Sequence, residues 1–412
     1  MSEFSVNLAG MQRTMDEYER LAVLLRKSAS EVLAVKRDLN FHLLQRLLVN
    51  QYLSGIADDL TAQRDALGRM VTTGRQIAEL YRQTEEDLLD SASHLPDILQ
   101  ILNLLNPLEV LKWIREKHRR EAEELIRNYE QANPEDARRL NEFLSSEVAQ
   151  CLTEEDIFRI KYMAYTAKEP YRSIYLRSLS QYTIVSINQD VNADGGNYNP
   201  AQGGINLSYP NSFGKDPRGD YNTLFHEGGH AIDDCSNVTE EDGYDTGSFT
   251  AYSEKLGKDI TLREAIQYDV YYNRDNPNSI TSIAEALKQD GADGSTDAVI
   301  RALQNGTDPK TLSNDDLALY RDVLNQYRRV TDTSATYMAV SDVYGSVSHN
   351  ALRTGWGHGN DYWVEDPTRT EKELWAEFFA NNMTGDEKAL AIMREYYPES
   401  YKVLEEYAYA VY

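Results

Sequence analysis

The segment TLFHEGGHAIDD, residues 223–234, constrains this chain more than any other. It contains His-Glu-x-x-His as His226, Glu227 and His230. Residues four apart lie on one face of a helix, so both imidazoles can point at the same ion. The two adjacent glycines inside the motif cost a helix about 2 kcal/mol relative to alanine. We therefore expect a helix kept for metal binding, which contributes folding free energy and offsets this cost.

Zn²⁺ is the metal that the motif favours. Imidazole nitrogens bind zinc, and three protein ligands with an open fourth position are typical of a catalytic site. Glu227 lies one step round the helix from His226, where it can take a proton from a water held by the metal. No histidine stands six residues after His230, so we expect the third ligand to be a carboxylate further along the chain.

The segment EKELWAEFFANNM supplies such a carboxylate on a second predicted helix. Glu373 and Glu377 are four residues apart in an otherwise apolar stretch. Burying a charge is costly unless it is paired, so both carboxylates need partners. We predict Glu373 as the third ligand and Glu377 as the acceptor for the second ring nitrogen of His226. The alternative is an ordinary helix with solvated acids on one face and a core face on the other.

Together these two segments resemble the gluzincin metalloproteases. FHEGGHAIDD followed by ELWAEFFA is similar to the catalytic domain of the anthrax lethal factor type, which pairs His-Glu-x-x-His-Ala-x-Asp with a Glu-x-x-Ala-Glu helix. The likeness covers roughly residues 180 to 412. It implies a zincin-like fold that cleaves a protein or peptide substrate. It also implies a general base, Glu227, an orienting carboxylate, Glu377, and three Zn²⁺ ligands, His226, His230 and Glu373.

Two features depart from the pattern of that family. Between His230 and Glu373 lie 142 residues, more than compact members have, and we interpret residues 250–335 as a helical insertion that shapes the substrate cleft. The family also places a tyrosine just ahead of the ligand helix to stabilise the oxyanion. Here Tyr362 lies eleven residues before Glu373, in GWGHGNDYW, which also contains His358. Both side chains can donate to a developing oxyanion, and we favour Tyr362 over His358.

Two acidic residues follow the motif. Asp233 and Asp234 stand three and four residues after His230. Either carboxylate can accept a hydrogen bond from the far nitrogen of a ligand histidine. Acids near the C terminus of a helix are otherwise unfavourable, which supports a role of this kind.

The first part of the chain has a different pattern. Apolar residues with a sustained 3-4 spacing predict a helical hairpin over residues 1–94. A hairpin that ends in Tyr81-x-x-x-Glu85 resembles the WXG/LXG-type domains of type VII secretion substrates, although no Trp-x-Gly stands at the turn. The resemblance implies a small helical secretion partner, and export of a protein that is cytoplasmic beforehand. An ordinary i, i+4 pair on a helix surface explains Tyr81 and Glu85 equally well.

The remainder divides into two regions. We predict a helical linker region over residues 95–178 and the metalloprotease domain over residues 179–412. Two β-rich runs, 182–187 and 204–209, predict a strand pair or hairpin in that domain. The expected fold class is therefore α+β: an all-helical N-terminal part, then a mostly helical zincin-like domain with a small β-sheet.

Composition argues against several other classes of protein. The net charge is −25, so we expect no nucleic-acid partner, because phosphate binding needs clustered Lys and Arg. The two cysteines, Cys151 and Cys235, provide neither a disulfide framework nor a Cys-x-x-Cys site. The N terminus lacks the features of a Sec signal peptide, and no apolar run is long enough for an integral membrane segment.

The sequence thus predicts a zinc endopeptidase, secreted by a bacterium as an effector or toxin. Two alternatives stay open. One is a non-catalytic or phage-associated assembly protein that retains a zinc-binding metalloprotease fold. The other is a helical interaction protein in which both motifs are coincidental.

Overall fold

The computed structural model describes residues 107–190, 195–236, 245–331 and 333–412, together with positions 19, 20 and 27. Residues 119–412 form one compact unit, which contains the whole candidate site. The hairpin predicted over residues 1–94, with Tyr81 and Glu85, lies outside the described residues apart from those three positions and stays a prediction.

The described chain opens with helices, as predicted for residues 95–178. They are α1 (Pro107–Ala132), α2 (Pro134–Leu144), α3 (Glu154–Thr166) and α4 (Tyr171–Ser178). A capping box starts α3: the Thr153 side chain accepts from the N–H of Asp156, and the Asp156 carboxylate accepts from the N–H of Thr153. Two donors of the first turn are satisfied in this way, which fixes where the helix begins.

A three-stranded sheet follows, made of β1 (Thr183–Asn188), β2 (Asn197–Asn199) and β3 (Gly204–Ser208). The two predicted runs do pair, but in parallel, with Thr183 opposite Gly204. The hairpin alternative is therefore wrong, because the 15 residues 189–203 provide the long connection that a parallel pair needs. Within that connection β2 pairs antiparallel with β3 and forms an edge strand.

Next comes α5 (Asn222–Ser236), which contains the His-Glu-x-x-His motif. The predicted helical insertion, residues 250–335, opens with an antiparallel strand pair, β4 (Thr250–Ser253) and β5 (Lys258–Thr261). The prediction of helix was wrong there because Gly257, at φ +65°, allows the chain to turn back tightly. The rest of the insertion is helical: α6 (Leu262–Gln267), a π-helical turn (Tyr268–Tyr272), α7 (Ile280–Gln289), α8 (Thr296–Gln304) and α9 (Asn314–Val330).

Five further helices complete the chain: α10 (Met338–Val347), α11 (Asn360–Glu365), α12 (Arg369–Thr384), α13 (Glu387–Tyr396) and α14 (Pro398–Val411). Helix α12 is buried along almost its whole length, as expected of a helix at the centre of a core. Throughout the described ranges, no helix combines the length and apolar character needed to cross a bilayer.

The glycines of α5 determine how closely α5 and α12 pack. A Cβ placed on Gly229 would lie 3.0 Å from the Cα of Ala376 on α12, and the carbonyl of Gly229 accepts a hydrogen bond from Trp375 Nε1 at 3.0 Å. Gly228 instead faces the hydroxyl of Tyr182. Gly229 is therefore the residue that lets the Glu373 helix approach.

Candidate metal centre

Helix α5 carries the motif residues into the interior. His226 is 2% exposed and Glu227 is 5% exposed, while His230 is half-buried at the wall of a cavity. Asp216 stabilises the start of α5. Its carboxylate accepts a hydrogen bond from the N–H of Thr223, one of the backbone donors in the first turn that have no partner within the helix. The ring centroids of His226 and His230 lie 4.8 Å apart on one face of α5, as the i, i+4 spacing predicts.

The ligand atoms of the three predicted metal-binding residues converge. Glu373 Oε2 lies 3.2 Å from His226 Nε2 and 3.5 Å from His230 Nε2. The two Nε2 atoms are 3.2 Å apart. Tetrahedral bonds of about 2.0–2.1 Å to zinc place ligand atoms about 3.3 Å from each other. The three atoms therefore form one face of a tetrahedron of suitable size, and the three residues can hold a metal ion.

The carboxylate of Glu373 provides a second sign that the site fits a cation. Its Oε1 accepts a hydrogen bond from the Tyr362 hydroxyl at 2.5 Å. Its Oε2 is buried and makes no hydrogen bond of good geometry within the described residues, although His226 Nε2 and His230 Nε2 lie 3.2 and 3.5 Å away. Leaving such an atom unsatisfied costs about 1–3 kcal/mol or more. Because Oε2 faces the two imidazoles, an ion held between them would satisfy it.

The pKa values of the three residues are shifted in different directions by burial and by neighbouring charges. Burial lowers the pKa of His226, and the nearby guanidinium of Arg218 lowers it further, to about 3. Burial also acts to lower the pKa of His230, but the Glu373 carboxylate outweighs it and raises that pKa to about 9. Burial acts to raise the pKa of Glu373, yet the charge of His230 holds it well below its usual value. Metal ligands must be deprotonated, so an ion that binds here displaces a proton from His230.

Glu377 lies near the other nitrogen of His226, but the predicted hydrogen bond is not formed, since His226 Nδ1 has no hydrogen-bond partner among the described residues. Its Oε1 is 3.4 Å from His226 Nδ1 and 3.1 Å from Arg218 Nη1. Burial raises the pKa of Glu377 to about 7, while the charge of Arg218 acts in the opposite direction. Arg218 was not predicted, because it stands in an ordinary polar loop, GKDPRGD, with no pattern that marks it.

Glu227 is buried, and its carboxylate is bonded to the edge strand β2. Its Oε2 accepts a hydrogen bond from the backbone N–H of Tyr198 in the edge strand β2, at 2.7 Å. Burial raises its pKa, and the positive charges of His230 and Arg218 act against this. It lines the same cavity as the three ligands. A buried carboxylate of this kind can exchange a proton with a molecule bound in that cavity.

His358 and Tyr362 lie in the cavity wall, with their rings stacked and the centroids 3.9 Å apart. His358 Nδ1 is 2.8 Å from Asp342 Oδ2, and the N–H of His358 donates to Asp342 Oδ1 at 2.7 Å. His358 Nε2 lies 4.0 Å from Glu373 Oε1, the oxygen that also accepts from Tyr362. The structure thus brings both predicted oxyanion donors next to the carboxylate of Glu373.

Asp342 is a site residue that the sequence analysis missed. It is 2% exposed and stands alone among apolar residues in YMAVSDVYG, on α10. A single acid in so apolar a helix implies a buried partner, and this signal was available in the sequence. Asp342, His358 and Glu373 form a second group with ligand atoms within 4.8 Å of one another, but the hydrogen bonds between Asp342 and His358 already satisfy those two residues.

The two acids after the motif have partners other than the ligand histidines. Asp233 accepts a hydrogen bond from the hydroxyl of Tyr407 on α14 at 2.7 Å. Asp234 accepts from the hydroxyl of Tyr198 on β2 at 2.6 Å. These bonds fasten the C-terminal half of α5 to its neighbours, which differs from the orienting role predicted for the two acids.

A cavity of about 450 Å³ opens beside the ligand atoms. Its volume lies in the range of small-molecule and cofactor sites, roughly 300–1,000 Å³. The side chains that line it include the three ligands and several other charged residues: Arg218, Glu227, Asp366, Arg369 and Lys372. The cavity therefore offers both hydrogen-bond donors and acceptors to a polar chain such as a peptide.

Comparisons of the chain with protein families, with curated proteins and with solved structures give no significant match.

Proposed function

We propose that this protein is a zinc-dependent endopeptidase that hydrolyses peptide bonds in a protein or peptide substrate. The observation that carries the proposal is the convergence of His226 Nε2, His230 Nε2 and Glu373 Oε2, 3.2–3.5 Å apart, at the wall of a cavity. Two imidazoles and one carboxylate with an open fourth position are typical of catalytic zinc sites, whereas structural sites are closed by four protein ligands. The donor set therefore favours zinc and a catalytic role.

Glu227 is the general base of the proposed reaction. A bound zinc ion supplies Lewis acidity, which polarises a substrate carbonyl and lowers the pKa of a nearby water. Glu227 takes a proton from the attacking water and later passes it to the leaving amine. Burial raises the pKa of Glu227, which makes its carboxylate a better proton acceptor.

His358 and Tyr362 stabilise the oxyanion in this proposal. Asp342 holds His358 Nδ1, which leaves Nε2 as the nitrogen on the side of Glu373. The Tyr362 hydroxyl reaches the substrate by turning away from Glu373 Oε1, its present acceptor. Losing one donor to an oxyanion costs about 10²- to 10³-fold in kcat.

The setting in which the enzyme acts is part of the same proposal. Export by a type VII-like route, with a small helical partner, rests on the apolar pattern of residues 1–94. A secreted bacterial effector or toxin combines that pattern with a protease site. The resemblance to gluzincin proteases of the anthrax lethal factor type supports the same interpretation.

Metal content and cleavage, measured on the same preparations, test the proposal. We expect about one zinc per wild-type chain and cleavage of a diverse peptide library. Glu227→Gln should keep the zinc and lose cleavage, and Glu373→Ala should lose the zinc. The matched control is Glu371→Ala, which removes another buried carboxylate of α12 that is paired with Arg263, and it should keep the zinc.

Two results would change the conclusion. Zinc bound without any cleavage would favour the alternative of a non-catalytic assembly protein that retains a metal-binding fold. A wild-type protein that takes up no zinc would overturn the metal site and the proposed activity together.

A further inference from the structure

Arg218 enters the metal centre from a segment outside both motifs. It lies in the loop before α5, where its backbone N–H donates to Asp216 Oδ1 at 2.9 Å. The other oxygen of Asp216 accepts from the N–H of Thr223 in the first turn of α5. One carboxylate therefore fastens the loop that carries Arg218 to the helix that carries the ligand histidines.

The guanidinium of Arg218 begins a chain of contacts that ends at a ligand atom. Arg218 Nη1 lies 3.1 Å from Glu377 Oε1, and the same oxygen lies 3.4 Å from His226 Nδ1. The side chains of Arg218 and Glu377 are 18% and 7% exposed. The other nitrogen of His226, Nε2, is one of the three converging ligand atoms. A cation in the interior thus lies behind the carboxylate that contacts the ligand histidine.

The contact between Arg218 and Glu377 brings a positive charge next to a group of buried carboxylates. Three buried carboxylates, those of Glu227, Glu373 and Glu377, lie close together at the centre. A divalent ion and the guanidinium of Arg218 both supply positive charge beside them, so the ionised carboxylates are better compensated when both are present. A buried charge without compensation is strongly unfavourable.

The other cations of the cavity wall act on other acids. Arg369 Nη1 forms an ion pair with Glu365 at 2.8 Å. The charge of Lys372 acts on Asp366, whose carboxylate also lines the cavity. Both of these acids lie outside the set of three buried carboxylates at the centre. Of the arginine and lysine side chains that line the cavity within the described residues, Arg218 is the one that donates a hydrogen bond to a carboxylate of that set.

We propose that Arg218 is a positioning residue for the metal. It holds the Glu377 carboxylate beside His226 Nδ1, which keeps Nε2 directed at the ion, and its charge lets three carboxylates share the site with a divalent cation. The inference rests on the metal-binding part of the proposed function and is independent of hydrolysis.

Zinc affinity of the full-length protein tests the inference. The dissociation constant for Zn²⁺ is measured by competition with a chromophoric chelator, for wild type and for Arg218→Met. Groups that orient a metal ligand typically contribute 10- to 100-fold in affinity, and we expect Arg218→Met to weaken binding by that factor. In the double variant Arg218→Met/Glu377→Gln the charges balance again, and we expect it to bind zinc at least threefold more tightly than Arg218→Met.

A matched control separates positioning from general stability. Arg263 Nε pairs at 2.6 Å with Glu371 Oε1, which belongs to another buried carboxylate of α12, two residues before Glu373. We expect both Arg263→Met and Arg218→Met to lower the temperature of thermal unfolding of the zinc-free protein, and Arg263→Met to change zinc affinity less than threefold. If Arg218→Met does not fold, Arg218→Gln carries the same expectation.

Three outcomes would overturn the inference. Zinc binding by Arg218→Met as tight as wild type would exclude a positioning role. Equal losses in Arg218→Met and Arg263→Met would show that the effect is one of stability alone. A double variant no better than Arg218→Met would contradict the charge argument. These failures differ from failure of the proposed function, in which the wild-type protein itself would bind no zinc.

Discussion

The hydrogen bonds between Asp342 and His358 fix one imidazole of the cavity wall. Asp342 Oδ2 lies 2.8 Å from His358 Nδ1, which leaves Nε2 on the side of Glu373 Oε1, 4.0 Å away. In Asp342→Asn one amide oxygen replaces two carboxylate oxygens, so the side chain can no longer accept from both the N–H and Nδ1 of His358. We expect peptide hydrolysis to fall about 10- to 100-fold while zinc content stays unchanged, because neither residue is among the three converging ligands. Steady-state kinetics and metal analysis measure the two quantities.

A double variant checks that Asp342 acts through His358. His358→Ala should reduce hydrolysis at least as much as Asp342→Asn, and combining the two changes should cost no more than His358→Ala alone. Losses that multiply in the double variant would contradict this coupling. Asp361→Asn, at an exposed acid near the start of α11, is the control and should leave hydrolysis unchanged.

At the scale of elements, the contact between α5 and α12 places Glu373 against the two histidines. A Cβ on Gly229 would lie 3.0 Å from the Cα of Ala376, so backbone would have to move. A Cβ on Gly228 would lie 3.0 Å from the hydroxyl of Tyr182, which is a side-chain atom and not backbone. The two glycines therefore provide a matched pair of substitutions.

We expect Gly229→Ala to lower the free energy of unfolding by about 1–3 kcal/mol, since overpacking forces backbone shifts. It should also weaken zinc binding, because α12 carries Glu373. In Gly228→Ala, alanine favours the helix by about 1 kcal/mol relative to glycine. This gain offsets the cost of the close contact with the Tyr182 hydroxyl, so the free energy of unfolding should change little. Urea unfolding and chelator competition measure both effects. Zinc affinities that are equal in the two variants would exclude this account of the contact.

Spacing along a helix was enough to predict the faces of α5 and α12. The i, i+4 pairs His226/His230 and Glu373/Glu377 were found because a helix converts spacing into a shared face. Helical spacing gives no information about loop residues, so Arg218, which lies in the loop before α5, was not predicted. Likewise, β propensity located β1 and β3, but their parallel pairing depends on the path of the 15 residues between them.

At the scale of the whole molecule, Asp156 joins two distant segments. Its Oδ1 accepts from the hydroxyl of Tyr221 at 2.8 Å, and its Oδ2 accepts from the N–H of Thr153 at 2.9 Å and from the hydroxyl of Tyr209 at 3.3 Å. Tyr221 directly precedes α5 and has a φ of +65°, which an L-residue rarely adopts without support. One carboxylate thus connects the cap of α3 to the start of α5, the helix that carries His226 and His230.

The pKa of Asp156 predicts how this link responds to acid. Burial acts to raise that pKa, but hydrogen bonds from Thr153 and Tyr221 outweigh it and hold the pKa below the ordinary value of 3.8. Because the folded-state pKa is the lower one, the ionised carboxylate stabilises the fold at pH values above 3.8. This contribution is lost as the pH falls through the folded-state pKa.

We expect Asp156→Asn to lower the free energy of unfolding by about 1–3 kcal/mol at neutral pH, since hydrogen bonds to a charged group are lost. The difference from wild type should shrink as the pH falls below 3.8, where the wild-type carboxylate also becomes protonated. Urea unfolding of both proteins at a series of pH values measures this difference in stability.

Asp220→Asn, at an exposed acid paired with Arg159, is the control and should change stability by less than about 0.5 kcal/mol. If the Asp156→Asn difference were the same in neutral and acidic solution, the negative charge of Asp156 would not be the source of the stabilisation.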